Sequence, residues 1–173
     1  MEKRNLNTSK KISIIALFSI IVFVSKIFLP SPIDKMMILF QALFYTLANL
    51  LIGGFGATAT GAVSGLIIQL WRPGFAPFSF LFAFAYGFMI DIFIYLFKVK
   101  SSRIFNKWRL MLALSLASII VGSLSTYVTI TIGMMPPAYQ IYMIILVAGV
   151  FNGTLAGYLA TLIWDKYLLK RIR

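Results

Sequence analysis

Apolar residues run along this chain in six long stretches; the short segments between them hold all six prolines, and those segments together with the two ends hold nearly all of the charges. The stretches cover residues 12–29, 36–54, 56–71, 78–97, 110–132 and 140–164. None shows the polar stripe that a helix keeps on the surface of a soluble domain. A helix needs about 20 residues to cross the hydrocarbon of a bilayer. Five stretches meet that length and the third, rich in glycine, is short. The pattern predicts an all-α polytopic membrane protein, a single domain over 1–173 with six transmembrane helices.

Composition agrees with this reading. Hydrophobic residues make up 61% of the 173, against about half in a soluble protein, and the mean hydropathy is +0.95. Only Lys26 and Asp91 place a charge inside an apolar stretch. The net charge of +12 is partitioned rather than spread. Lys3, Arg4, Lys10 and Lys11 precede the first stretch; Lys98, Lys100, Arg103, Lys107 and Arg109 join the fourth to the fifth; Lys166, Lys170, Arg171 and Arg173 follow the sixth. Basic residues stay on the cytoplasmic side, so six spans with both termini cytoplasmic are expected, in a cell membrane. The partition argues against nucleic acid as a partner and suits contact with anionic lipid. The segment after the first stretch, Ser25 to Pro30, lacks a small-x-small cleavage pattern, so a retained helix is expected in place of a signal peptide.

Each outer loop (30–35, 72–77 and 133–139) contains two prolines. Such loops are stiff for their length. They suit either pocket walls or simple helix ends. Small residues recur four apart at Ala57, Gly61 and Gly65, at Gly149, Gly153 and Gly157, at Ala148, Asn152, Ala156 and Ala160, and at Ser118, Gly122 and Thr126. Small residues let membrane helices approach closely. Internal packing is the plain reading; a docking face for another subunit is the alternative.

The chain lacks His and Cys and has four acids, Glu2, Asp34, Asp91 and Asp165. That leaves no metal-ligand set and no carboxylate pair, and no phosphate-binding glycine loop is present. The residues argue against an enzyme and against a bound cofactor. They also leave no module for ATP hydrolysis, so transport would draw its energy from a partner or an ion gradient. Asp91 must face protein or water. It is either a coupling or ligand residue or a structural acid, the latter paired with the 98–109 loop. Lys26, one turn from Pro30, is placed to snorkel outward.

The outer halves of the helices gather Gln41 and Tyr45, Gln69 and Trp71, Tyr127, Thr129 and Thr131, and Gln140 and Tyr142, with Arg72 in the following loop and Tyr86 and Asn152 near mid-membrane. Amides, hydroxyls and aromatic faces with one guanidinium suit a flat heterocycle. The candidate binding residues are Gln41, Tyr45, Gln69, Arg72, Tyr86, Tyr127, Gln140 and Asn152. An aromatic belt at the headgroups is the competing account of Trp71, Tyr139 and Tyr142.

Six helices in so short a chain, a glycine-rich third helix, the loop Arg72-Pro73-Gly74-Phe75-Ala76-Pro77-Phe78 and the segment Phe84-Ala85-Tyr86-Gly87-Phe88 together resemble the substrate-binding S component of energy-coupling factor (ECF) transporters. The resemblance implies uptake of a vitamin or vitamin precursor from outside, a transmembrane T subunit and two ABC ATPase subunits. The segment from Gln41 to Gly54 is most similar to the branch for thiamine or its hydroxymethylpyrimidine precursor, with riboflavin, cobalamin and the other ligands of the family left open. Members often carry Ala-x-x-x-Ala in the first helix for docking the T subunit. Here Ala16 is followed four residues later by Ile20, and the role passes to Ser13, Ala16 and Ser19. A non-transport membrane scaffold or assembly subunit, and a small ion-coupled carrier using Asp91, are the other functions the residues allow.

Overall fold

A computed structural model describes residues 7–27, 38–101, 104–133 and 139–168. The fold is helical: α1 (Thr8–Ile27), α2 (Ile38–Ile52), α3 (Gly56–Trp71), α4 (Phe78–Leu96), α5 (Lys107–Thr131) and α6 (Tyr139–Ile163). A short 3-10 turn, Pro73–Phe75, leads into α4 through a cis Ala76–Pro77 bond. A π-helical turn, Trp164–Leu168, ends α6. The loop after α4 contains a two-residue antiparallel pairing of Lys100–Ser101 with Ile104–Phe105, which hydropathy alone did not foresee. The outer loops expected over 30–35 and most of 133–139 lie outside the described residues.

The helix boundaries follow local chemistry. α2 stops where Gly53 and Gly54 take φ of +78° and +57°, a left-handed conformation that only glycine adopts without cost. The turn ends a stretch expected to run to residue 54. Asn106 starts α5 by accepting a hydrogen bond from the Arg109 amide, a conventional side-chain cap, so α5 begins three residues before the apolar run does.

Three helices, Phe78–Leu96, Lys107–Thr131 and Tyr142–Leu168, are long and apolar enough to cross a membrane. Their outward faces carry large apolar side chains; Val147 and Phe151 on α6 are 68% and 63% exposed. A soluble protein rarely leaves so much apolar surface uncovered, and insertion in a bilayer accounts for it.

The most extensive packing joins α5 to α6 and α3 to α4; α1 and α2 lie against α3, and α2 also lies against α6. Small residues hold these helices together. A Cβ added at Gly61 would lie 2.5 Å from the Ala83 carbonyl oxygen, and one at Gly65 would lie 2.9 Å from the Ala83 Cβ. Gly87 on α4 returns the contact by abutting the Ala57 carbonyl. On the other pair, a Cβ at Gly153 would lie 2.5 Å from the Ser115 Cα. Backbones this close maximise dispersion contact where lipid supplies no hydrophobic drive. The stripes on α3 and α6 are therefore used inside the bundle.

A close approach of backbone to backbone has no flexible side chain to yield. Gly87→Ala and Gly153→Ala are expected to destabilise the purified protein by about 1–3 kcal/mol. Gly122→Ala, whose Cβ would meet Ile145 at an ordinary 3.5 Å, is expected to melt within a degree or two of the parent. Thermal unfolding in detergent checks the contrast.

Candidate functional site

Three polar residues of α2, Gln41, Tyr45 and Asn49, fall four apart and form one ridge. That spacing stacks side chains on a single helix face. All three are buried, so each must find a partner inside the bundle.

Gln41 Nε2 donates to the Tyr45 hydroxyl at 3.0 Å, and that hydroxyl lies 2.5 Å from the Ser64 hydroxyl of α3. Ser64 in turn reaches the Gly61 carbonyl at 3.2 Å. One direction satisfies the chain: Gln41 to Tyr45, Tyr45 to Ser64, Ser64 to the carbonyl. Beside it, the Tyr86 ring of α4 sits 6.0 Å from the Tyr45 ring, tilted by 54°. The Tyr86 hydroxyl lies 2.7 Å from that of Ser118 on α5. These two hydroxyls carry two protons and use one between them. Among the described residues the pair thus keeps a proton to donate.

One turn further along α2 lies the only charged side chain buried among the described residues. Asp91 accepts from Asn49 Nδ2 at 2.6 Å, from the Ala57 and Thr58 amides at 3.2 and 2.7 Å, and from the Thr58 hydroxyl at 2.6 Å. Ala57 and Thr58 are the second and third residues of α3, whose N-terminus has no side-chain cap of its own. The cap comes instead from α4. A carboxylate there satisfies free amides and sits at the positive end of the helix dipole. Asn49 also donates to the Gly54 carbonyl at 3.0 Å, closing the α2–α3 turn. The partner expected for Asp91, a residue of the 98–109 loop, is replaced by α3 and Asn49.

The other candidate residues are placed as follows. Gln69 follows Gly61 and Gly65 on the α3 face that packs on α4, and is half-buried. Its Oε1 is buried with no hydrogen-bond partner among the described residues. Arg72 donates to the Lys26 carbonyl at 2.9 Å, tying the end of α3 to the end of α1. Asn152 is buried on α6. Tyr127, 61% exposed, and Gln140, also exposed, stand outside the group. On α1, Ser13 and Ala16 are exposed, whereas Ser19 is buried and donates to the Thr60 carbonyl at 3.1 Å. So Ser13 and Ala16 lie on an uncovered face of α1, whereas Ser19 is committed to α3.

Four participants, Asn49, Thr58, Ser64 and Ser118, were not singled out from sequence as members of a polar site. Ser64 and Ser118 belong to small-residue runs that read as packing, and Thr58 sits among other small residues of α3. The four-residue spacing of Gln41, Tyr45 and Asn49 was the available signal, since a polar ridge on an otherwise apolar helix demands partners.

Asp91→Ala would leave four donors of Asn49, Ala57 and Thr58 without their acceptor. A loss of about 3 kcal/mol is expected, read as a lower melting temperature. Asp91→Asn is expected to fall between that variant and the parent, because an amide presents an N–H where two acceptors are needed. Equal melting of all three proteins would refute the capping role. In comparisons with known proteins, no family model, no curated protein and no solved structure matches this chain.

Proposed function

We propose that this chain is the substrate-binding membrane subunit of an ECF-type vitamin transporter. On this reading it captures a small heterocycle, thiamine or hydroxymethylpyrimidine, from outside the cell. Both termini are cytoplasmic. A T subunit and two ABC ATPases supply the energy, with Ser13 and Ala16 on the face of α1 that meets the T subunit.

The observation that carries the reading is the buried polar-aromatic group between α2, α3, α4 and α5. The Tyr45 and Tyr86 rings pack on each other within it, centroids 6.0 Å apart and tilted by 54°. The Tyr86–Ser118 pair keeps a donor, and further along α3 Gln69 Oε1 is a buried acceptor with no partner among the described residues. An aminopyrimidine carries the complement, an exocyclic N–H donor beside ring-nitrogen acceptors and a flat face. A buried acceptor without a donor is costly, which favours a ligand that supplies one. The use of Asp91 as a helix cap favours this reading over an ion-coupled carrier, in which that carboxylate would have to be released. Consumption of the α3 and α6 stripes within the bundle removes those surfaces from a scaffold reading.

The purified chain is expected to be stabilised by one water-soluble vitamin or precursor in a thermal-shift screen that includes thiamine and hydroxymethylpyrimidine. Gln69→Ala is then expected to weaken binding by roughly tenfold, the value of one buried hydrogen bond, with Tyr127→Phe unchanged. Absence of any stabilising heterocycle would sink the proposal. Co-purification of a T subunit and ATPases from the native host supplies the independent check.

A further inference from the structure

The end of the bundle away from Gln41 gathers basic and aromatic side chains from three helices. Lys98 follows α4, Lys107, Trp108 and Arg109 form the first turn of α5, and Lys166 and Tyr167 lie in the turn that ends α6. Close packing of Gly157 on Met111 brings α6 and α5 together here. All six side chains are exposed, Trp108 by 65% and Tyr167 by 60%. Lys107 Nζ lies 5.9 Å from the centre of the Trp108 ring, and Lys166 Nζ lies 5.7 Å from that of Tyr167. Each of these rings has an ammonium group beside it, so each pair presents an apolar body and a positive head at one level.

The acids near this end do little to offset the cations. Asp91 is buried and committed to α3, which among the described residues leaves exposed Asp165. The helices that bring the patch here are the three long enough to cross a membrane. Tryptophan and tyrosine sit at the headgroup level of a bilayer, and that depth puts the ammonium and guanidinium groups among the lipid phosphates.

We propose that this patch is a binding surface for anionic phospholipid, with Lys107, Arg109 and Lys166 on the phosphates and Trp108 and Tyr167 in the interface. A zwitterionic lipid satisfies the rings equally but sets a choline or ethanolamine cation beside the patch. An acidic headgroup such as phosphatidylglycerol removes that repulsion, so the surface selects among lipids as well as anchoring in them. Each cation near an anionic surface contributes a factor of about five, and three together give a preference of roughly a hundredfold. The proposal holds whatever ligand the buried group takes.

The test uses the full chain in phosphatidylcholine nanodiscs, with phosphatidylglycerol replacing part of the lipid. The melting temperature is expected to rise by several degrees with phosphatidylglycerol. The triple variant K107Q/R109Q/K166Q is expected to melt like the parent in pure phosphatidylcholine and to lose that rise. An equal melting temperature in both lipids, or a full rise in the variant, would overturn the proposal. A rise of the same size from millimolar inorganic phosphate or from polyglutamate would assign the patch to free anions or to acidic protein and equally overturn it. Should the triple variant fail to fold, tryptophan quenching in the parent decides. Brominated phosphatidylglycerol is expected to quench more than brominated phosphatidylcholine, and Trp108→Phe is expected to remove the difference; equal quenching by the two lipids overturns the proposal.

Discussion

The carboxylate of Asp91 holds three helices in one register. α3 begins with bare amides inside the bundle, where water is scarce and no nearby side chain of its own segment caps them. Unsatisfied amides at such a place are costly. Asp91 reaches from α4 to two of them and takes Asn49 of α2 as a further donor. An acid in an apolar helix is tolerated because every donor around it points at it. The same contacts set how far α3 slides along α4, and so where Ser64 stands against Tyr45.

Small residues make this arrangement possible. Gly61 and Gly87 bring the backbones of α3 and α4 into contact, and only at that separation does a short aspartate side chain span from one helix to the amides of the other. Packing and capping depend on each other: a wider gap breaks the cap, and loss of the cap frees α3 to shift against glycines that tolerate no new register. The α2–α3 turn, with its two left-handed glycines, is compact enough to keep Asn49 beside the same carboxylate.

The hydroxyl chain from Gln41 to Ser64, with Tyr86 and Ser118 beside it, lies a turn further along the bundle. Its members come from four helices, and its links between helices, Tyr45 to Ser64 and Tyr86 to Ser118, join residues distant in sequence. Polar networks inside a low-dielectric interior specify one arrangement when they are satisfied. Here most of the network is closed, while one hydroxyl proton of the Tyr86–Ser118 pair has no acceptor among the described residues.

Much of the fold was legible in the pattern of apolar positions, because a helix in an apolar medium needs little beyond length and hydropathy. The bounds of α3 follow directly, and those of α4 and α6 to within a residue or so. Gln41, Tyr45, Tyr86 and Asn152 were also legible as buried polar residues, since amides and hydroxyls within an apolar helix seek protein before lipid. Their partners were not, for Ser64, Ser118 and Thr58 are chemically indistinct from the small residues around them. The exposure of Tyr127 and the burial of Ser19 turn on helix rotation, which a uniformly apolar helix does not encode. The sequence by itself therefore determined a helical chain with stretches long and apolar enough to cross a membrane, the bounds of α3, α4 and α6 to within about a residue, and a short inventory of polar groups. The tertiary structure alone decided which of them meet, because hydrogen bonds between helices depend on rotation and sliding that only the packed glycines set.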